Sequence, residues 1–156
     1  MKLSLLCTGK NHKGFVNEGV NMYIKRIQKY VGFDFIILPE PRKKTNNPEI
    51  LKSWEAEIQL KAIPENAFLV LLDEKGEMQH SVLFSKKLEQ FLSGSMHHVV
   101  FLIGGAFGFD NKIYSRANSK LSLSKMTFSH QLIRLMFLEQ LYRAFTIMHN
   151  EPYHNA

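Results

Sequence analysis

A glycine-rich segment at 104–108 (GGAFG) is the first place where residue types suggest chemistry. It follows an apolar run at 99–103 and precedes a short helical pattern, an arrangement in which glycine lets the backbone approach a ligand closely. It lacks the G-x-G-x-x-G spacing of dinucleotide-binding folds and the Gly-Lys-Ser/Thr of a phosphate loop, so neither nucleotide fingerprint applies. Two interpretations stay open: a loop that contacts a ligand, or a tight turn that only needs a positive φ.

Hydroxyl side chains are concentrated downstream, at 121–130 (LSLSKMTFSH). The run first alternates apolar and hydroxyl residues, as a short strand does, and then breaks before a long apolar helix. Hydroxyls and free amides thus gather at one strand end, where they could hydrogen-bond a ligand. Thr127 or Ser129 could equally be the N-cap of the helix that follows, a role that is compatible with ligand binding.

The end of the chain carries an aromatic residue and a histidine, Tyr153 and His154, directly after Pro152. Proline ends the preceding helix, and chain ends are usually frayed, so an inert tail is one interpretation and a functional tail is the other. No pair of the other histidines has metal-ligand spacing with an acid or cysteine nearby, as in H-E-x-x-H. We therefore expect no metal site.

The elements that must position these segments are predicted strands that alternate with predicted helices along the chain. Near-continuous apolar strands are typical of a parallel sheet with helices on both faces, so the predicted fold class is α/β with a mainly parallel sheet. In such sheets ligands lie outside the carboxyl ends of the strands, which singles out the loops that begin at Leu72, Ile103 and Leu123. The predicted strands span 2–7, 33–38, 68–72, 98–103 and 121–123, and the predicted helices span 15–30, 49–63, 81–92 with Ser81 as N-cap, 111–117 and 129–149.

The last predicted helix, 129–149, is apolar almost all round its circumference. Such a helix must be covered on several sides. At about 1.5 Å per residue it would run about 31 Å, the width of the whole domain, so a second subunit is the natural cover and we predict a homodimer. Glu139 and Arg143 form an i,i+4 pair on this helix, whose default role is a small contribution to helix stability.

Length and composition narrow the class of protein. The 156 residues suit a single domain spanning 1–156, with 45% hydrophobic and 22% charged residues as in ordinary globular proteins. The longest apolar runs, 67–72 and 99–103, are far shorter than the ~18 residues of a membrane span. The N-terminal apolar stretch is too short for a secretory signal, so we expect a cytoplasmic protein. Cys7, the single cysteine, is expected to be a buried small apolar residue.

Basic residues outnumber acidic residues by 20 to 14, which gives a net charge of +6. The excess lies mostly in the first half, where Lys25, Arg26 and Lys29 form the basic side of one predicted helix and 42–44 (RKK) follow the second strand. A polyanion partner is one interpretation, and a basic surface without a partner is the other.

Four segments, taken together, are highly specific for one protein family: LIGGAFG at 102–108, LSLSKMTFSHQ at 121–131, EQLYRAF at 139–145 and PYH at 152–154. They resemble the ribosomal RNA large subunit methyltransferase H family of the SPOUT, or trefoil-knotted, methyltransferases. The resemblance implies an α/β knot whose C-terminal segment threads through a loop, a homodimer, and S-adenosyl-L-methionine as cofactor. It also implies methylation of N3 of a pseudouridine in 23S rRNA on the assembled ribosome.

The resemblance also implies site residues, which fall on the loops singled out above. Ser129 stands where the family commonly has proline, and Asn155 follows the histidine where a basic residue is usual. The second departure removes one phosphate contact from the tail. The implied cofactor-binding residues are Leu72, Gly104, Leu123, Ser124, Lys125, Met126, Thr127 and Phe128.

Methyl transfer from a sulfonium is a direct displacement, so the main task of such a protein is to orient the nucleophilic nitrogen in line with the methyl group. The N3 proton must also be lost, and a neutral imidazole can accept it, which makes His154 the candidate base or positioning group. Tyr153 is expected to stack on, or hydrogen-bond to, the uracil ring. Arg143 is expected to contact phosphate or the substrate base.

Two other functions stay open at this point: a non-enzymatic ribosome- or RNA-binding module that has kept the knotted fold, and a SPOUT enzyme that methylates tRNA. Intact Gly104, Gly105, Tyr153 and His154 argue against the first. The match of the C-terminal segment, and a length that leaves no room for an appended RNA-binding domain, favour rRNA over tRNA.

Overall fold

The computed structural model describes residues 1–155, and within that range five strands alternate with five helices in the predicted order. The strands are β1 (Lys2–Thr8), β2 (Gly32–Leu38), β3 (Phe68–Met78), β4 (His98–Ile103) and β5 (Ser119–Ser122). The helices are α1 (Phe15–Ile27), α2 (Pro48–Ala62), α3 (Ser81–Ser93), α4 (Asn111–Arg116) and α5 (Leu132–Met148).

The strands form one parallel sheet in the order β2-β1-β4-β3-β5. β1 lies inside the sheet, where Leu5 faces Phe35 of β2 on one side and Phe101 of β4 on the other. Parallel neighbours need a crossover between them, and the helices supply it. The predicted α/β fold class with a parallel sheet is confirmed, and the knotted threading stays a prediction.

Successive side chains of a strand point to opposite faces of the sheet, so continuous apolar strands make both faces apolar, and helices cover both. On one face Leu5 packs in a buried cluster with residues of α1, α3 and α5, among them Phe137. On the other face Leu6 packs in a second cluster with residues of α2 and α4, among them Ala56 and Ile113. The sheet is therefore buried on both sides, which explains its near-continuous apolar strands.

β3 differs from the prediction, which ended this strand at Leu72. The strand resumes after a bulge at 73–76 and runs to Met78, so that Leu72 and Glu77 both lie opposite Leu121 of β5. The bulge resembles a turn in the sequence because polar residues and glycine are typical of turns. Gly76 is required where the bulge passes β5, since a Cβ on it would stand 2.7 Å from the backbone nitrogen of Leu121.

α5 is shorter than predicted, and its own chain covers most of it. It begins at Leu132, and Ser129 Oγ accepts a hydrogen bond from Leu132 N at 3.1 Å. α1 and α3 pack against it, so Phe137 and Leu141 are fully buried within one chain. The covering that the sequence assigned to a second subunit is thus largely intramolecular, and Met136, 39% exposed, marks the open face.

The cap of α3 is His80 and not the predicted Ser81. His80 Nδ1 accepts a hydrogen bond from Leu83 N at 3.3 Å, as the oxygen of a more usual cap residue does. Ser81 Oγ instead donates to Gln140 Oε1 at 2.7 Å, which joins α3 to α5.

Arg134 is fully buried and joins α5 to the end of β1. Its Nη2 donates to Thr8 O at 2.6 Å, and its Nη1 donates to Gly9 O at 2.8 Å and to Asn11 Oδ1 at 2.9 Å. Its Nε donates to His130 O at 3.0 Å. Arginine suits this position because its donors form a rigid fork that can satisfy several acceptors at once.

Cys7 is fully buried in β1, as predicted, and its burial raises the pKa of the thiol to about 12. Among residues 1–155, no group of three or more His, Cys, Asp or Glu side chains is arranged to hold a metal ion. No helix in the part of the chain that the structure describes is long and apolar enough to cross a membrane.

Candidate active site

Three loops meet at the carboxyl-terminal edge of the sheet and enclose a cavity of about 300 Å³, which we call the loop crevice. They are the bulge after Leu72, the glycine-rich loop after β4 and the loop after β5. These are the three loops that the sequence singled out. They meet because β4, β3 and β5 are neighbours in a parallel sheet, so that their carboxyl ends lie side by side.

Two glycines shape the loop at 104–108. A Cβ on Gly104 would stand 2.9 Å from the ring of Phe109 and 3.3 Å from Gly108 O. Gly108 has a φ of 85°, which glycine adopts without strain, and its N–H donates to Gly105 O at 3.2 Å. The segment is therefore a tight turn whose backbone also lines the loop crevice, and its contact with a ligand stays a prediction.

Short-range hydrogen bonds hold the loop that follows β5. Ser122 Oγ donates to Ser124 O at 2.8 Å, and Ser124 Oγ accepts from Met126 N at 3.0 Å. Thr127 Oγ1 donates to Glu74 Oε2 at 2.8 Å. The last bond connects this loop to the bulge of β3, so two walls of the loop crevice are tied together.

Lys125 is the one residue of the predicted cofactor set that does not line the loop crevice, and it is exposed to solvent. Met126 lines it while remaining 77% exposed, which places it at the mouth. The members of the set that line the crevice are Leu72, Gly104, Leu123, Ser124, Met126, Thr127 and Phe128.

Asp73 and Tyr114 also line the loop crevice, although neither is among the residues predicted from the sequence. Tyr114 OH donates to Asp73 Oδ2 at 2.5 Å, and burial together with this bond raises the pKa of Tyr114. Asp73 Oδ1 accepts from Lys75 N at 3.0 Å, so the pair fixes the bulge against α4. An acidic residue directly after a buried strand could have pointed to Asp73, whereas no local pattern marks Tyr114.

A second cavity of about 640 Å³, which we call the side cavity, adjoins the loop crevice. The two share Leu121, Leu123 and Phe128 as lining residues. His154 lines the side cavity and is not part of the crevice lining. The loop crevice and the cavity that His154 lines therefore meet at one apolar wall, to which the predicted cofactor residues Leu123 and Phe128 belong.

The predicted catalytic residues Arg143, Tyr153 and His154 contact one another, and with Glu139 they form what we call the tail cluster. Arg143 Nη1 lies 3.1 Å from His154 Nδ1, and the guanidinium of Arg143 lies over the Tyr153 ring at 4.9 Å. Arg143 Nη2 donates to Glu139 Oε1 at 2.5 Å. Tyr153 OH donates to the same oxygen at 3.0 Å, so Glu139 does more than support its helix.

α1 and the turn that follows it anchor the tail, which is not frayed. The hydroxyls of Tyr23 and Tyr153 are 3.3 Å apart, and Tyr30 OH donates to Glu151 at 2.8 Å. Arg26 lies over the Tyr23 ring at 5.5 Å, so the basic side of α1 adjoins the tail cluster. The sequence identified the basic residues here and missed the roles of Tyr23 on α1 and of Tyr30 just after it, because these roles depend on how α1 packs against α5.

Charges within the tail cluster determine its protonation. The hydrogen bond to Glu139 raises the pKa of Arg143, so the guanidinium stays charged. Burial, with the bond to Tyr23 and the charge of Glu139, raises the pKa of Tyr153, so the phenol stays protonated. The arginine side chain can only donate hydrogen bonds, so His154 must accept through an unprotonated Nδ1. The proton of the neutral imidazole is then on Nε2.

Comparison with known proteins defines the class. A family model described as "Predicted SPOUT methyltransferase" matches residues 1–154, so the chain belongs to the SPOUT methyltransferases. Within that class it is similar to Ribosomal RNA large subunit methyltransferase H of Christiangramia forsetii, with 45% identity over 99% of both chains. The protein of the same name from Parabacteroides distasonis is 44% identical over 99% of both chains. The family that the four segments resemble is confirmed.

Among solved structures, the chain is similar to the protein Lpg2936 of Legionella pneumophila, determined in complex with the cofactor SAM. The two are 12% identical with a TM-score of 0.50, and the match covers 92% of this chain and 66% of that chain. At this identity the likeness shows the fold alone.

Proposed function

We propose that the protein is an S-adenosyl-L-methionine-dependent methyltransferase that acts on N3 of a pseudouridine in 23S rRNA. One observation carries the proposal: the loop crevice adjoins a side cavity lined by His154 of the tail cluster, in a chain 45% identical, over 99% of both lengths, to a Ribosomal RNA large subunit methyltransferase H. The proposal includes a single SPOUT domain over residues 1–156 that acts in the cytoplasm on the assembled ribosome.

The loop crevice suits S-adenosyl-L-methionine in size and surface. Its volume of about 300 Å³ lies at the lower end of the ~300–1,000 Å³ of small-molecule sites. Leu72, Leu121 and Leu123 provide apolar walls, and Gly104 brings the main chain close because a Cβ there would collide with Phe109. When bound, S-adenosyl-L-methionine supplies an electrophilic methyl group on a sulfonium. The predicted residues that line the crevice would hold it.

The side cavity is the proposed place of the substrate nucleoside. It shares Leu123 and Phe128 with the loop crevice and has His154 in its lining. A base in this cavity would lie between the methyl donor and the tail cluster. That order suits a direct displacement, in which orientation of the nucleophile is the main catalytic task.

His154 acts in this proposal as a positioning group. Its Nε2–H donates to a carbonyl oxygen of the base while Arg143 holds the ring through Nδ1. The ring of Tyr153 lies against the Arg143 guanidinium and its hydroxyl donates to Glu139, so Tyr153 helps to hold Arg143 in place beside His154. The N3 proton leaves to solvent, because His154 has no free ring nitrogen with which to accept it.

The exposed basic residues provide the proposed contacts with rRNA phosphates. Lys25, Lys29 and residues 42–44 are exposed, and Arg26 lies beside the tail cluster. Such contacts release counterions, so ribosome binding should weaken steeply between low and physiological salt. Sedimentation of the protein with ribosomes measures this, and binding that does not change with salt would contradict the role of these residues.

A homodimer is proposed as the active form. The support is the open face of α5 around Met136, a large apolar side chain that is 39% exposed on an otherwise covered helix. Met136 also lines the side cavity, so a second subunit at this face would complete the place proposed for the nucleoside. Analytical ultracentrifugation should show a dimer, and Met136→Glu should yield monomers.

The decisive experiment supplies ribosomes from a strain that lacks the gene, together with methyl-labelled S-adenosyl-L-methionine. Label should enter 23S rRNA at one pseudouridine, mapped by mass spectrometry of nuclease fragments. A parallel reaction contains tRNA, and label in tRNA alone would favour a tRNA methyltransferase. Ribosome binding without any binding of S-adenosyl-L-methionine in calorimetry would favour a non-enzymatic RNA-binding module.

A further inference from the structure

Glu55 is a buried carboxyl group that none of these roles uses. It lies on α2 and is 6% exposed, and its Oε1 has no hydrogen-bond partner among residues 1–155. A buried polar group without a partner costs free energy, and a charged one costs more. Such a group in a folded protein calls for a functional explanation.

Glu55 lies directly behind the glycine-rich loop. A Cβ on Gly105 would collide with Glu55 Oε2 and stand 3.1 Å from Oε1. Gly105 itself lines the loop crevice. Only the backbone of one residue therefore separates the carboxyl group from the cavity, and only glycine permits so close an approach at this position.

The ionisation of Glu55 is poised to respond to a nearby cation. Burial, with a smaller effect from the charge of Glu40, raises the pKa of Glu55 to about 7. A positive charge placed in the loop crevice would favour the ionised carboxylate, because opposite charges a few ångströms apart stabilise each other in a partly buried site.

We propose that Glu55 is the counter-charge for a cationic methyl donor: through the thin wall at Gly105 its carboxylate favours the sulfonium cofactor over the neutral thioether that remains after methyl transfer. The inference rests on the proposed function. The donor carries one positive charge more than the demethylated product, so a negative charge behind the wall stabilises the donor complex selectively. The same selectivity weakens retention of the product.

Titration calorimetry with S-adenosyl-L-methionine and with S-adenosyl-L-homocysteine tests this role. The measured quantity is the ratio of the product dissociation constant to the donor dissociation constant. Glu55→Gln keeps the shape of the side chain and removes the charge, and it should lower this ratio about tenfold, as expected for one charge pair across a short distance in a partly buried site. Glu55→Asp keeps the charge and should retain most of the ratio.

Glu57→Gln is the matched control, because Glu57 is exposed on the same helix, and it should leave the ratio unchanged. Sinefungin, which carries an ammonium group in place of the methylated sulfonium, should lose affinity for Glu55→Gln as the donor does. A ratio equal to that of wild type in Glu55→Gln would overturn the inference, even if both affinities fell together. Failure of the wild-type protein to bind the donor at all would instead contradict the proposed function.

Discussion

The loop crevice and the tail cluster are built by different means. Backbone shapes the crevice, with Gly104 and Gly105 at positions where a Cβ would collide with its surroundings. Side chains form the tail cluster, in which Arg143 bonds both Glu139 and His154. The crevice should therefore be sensitive to added atoms, and the tail cluster to removed ones. The first change should affect binding of the methyl donor, and the second should affect turnover.

Adding one methyl group to the loop crevice has the largest expected effect. Gly104→Ala would place a Cβ 2.9 Å from the ring of Phe109 and 3.3 Å from Gly108 O, so the loop must shift. Calorimetry should show about 100-fold weaker binding of S-adenosyl-L-methionine, which corresponds to the upper end, ~3 kcal/mol, of the cost of overpacking.

Gly32→Ala is the control for this change, because the nearest atom to its added Cβ would be Met1 O at an ordinary 3.9 Å. It should bind the donor as the wild type does. If Gly104→Ala also bound normally, close backbone approach would not be what makes the crevice a site.

Removal of the imidazole should leave binding intact and slow the reaction. His154→Ala is expected to lower kcat about 100-fold, the lower end of what loss of one preorganised hydrogen-bond donor costs. The dissociation constant of S-adenosyl-L-methionine should stay within about twofold, because His154 lines the side cavity and not the loop crevice. Single-turnover kinetics and calorimetry measure the two quantities.

His154→Gln sharpens this test, since a glutamine amide can donate from near the position of Nε2. It should recover part of the rate that His154→Ala loses, and Asn155→Ala should change neither quantity. Equal losses of donor affinity and kcat in His154→Ala would contradict the separation of the two regions.

Glu55→Gln should make the fold more stable above neutral pH. The folded pKa of about 7 lies above the ordinary 4.5, so between these pH values the folded state binds more protons than the unfolded state and stability falls as pH rises. The variant should unfold with a free energy about 1–2 kcal/mol above that of wild type at pH 8, less than the full pKa difference implies because solvent screens part of the charge.

Urea unfolding at pH 8 and at pH 4 measures this difference. At pH 4 the Glu55 carboxyl group is neutral in the folded protein, so the two proteins should be about equally stable. An advantage of the same size at both pH values would indicate better packing and not relief of a buried charge, and Glu57→Gln should show no advantage at either.

Tyr153→Phe should have the smallest effect. It removes the hydroxyl that bonds Glu139 at 3.0 Å and Tyr23 at 3.3 Å, while the ring that stacks on Arg143 remains. Urea unfolding should show a loss of about 1 kcal/mol, the usual net value of a hydrogen bond. Tyr142→Phe, next to it, is the control. A loss above ~3 kcal/mol would mean that this hydroxyl holds the whole cluster together.

The local sequence pattern predicts the strands inside the sheet well, and it predicts the extent of β3 and the cover of α5 poorly. β1 and β4 are continuous apolar runs inside the sheet, and their bounds agree closely with the prediction. The extension of β3 was missed because the bulge before it has the composition of a turn. The extension itself pairs only with β5, a strand that is distant in the sequence. The cover of α5 was misassigned because an apolar circumference does not reveal whether the same chain or a second one packs against it.

The sequence likewise predicts some residues of the candidate site and not others. Strand ends in an α/β sheet predict where loops converge, and the resemblance supplies the residues of those loops and of the tail. Asp73 could have been noticed because it directly follows a buried strand, but Tyr114 and Glu55 could not, because each matters only through a neighbour on another element. Tyr23 is a further example, since its contact with Tyr153 joins residues 130 positions apart.

Arg134 couples the end of β1 to α5, a helix that the ribosome makes much later. The carbonyl groups of Thr8 and Gly9 find this donor 126 and 125 positions further along the chain. Because the N-terminal part of a protein emerges first during synthesis, these carbonyl groups have no bond from Arg134 until α5 has been made. A chain cut short before α5 would lack this donor, so we expect such a fragment to be cleaved readily by proteases.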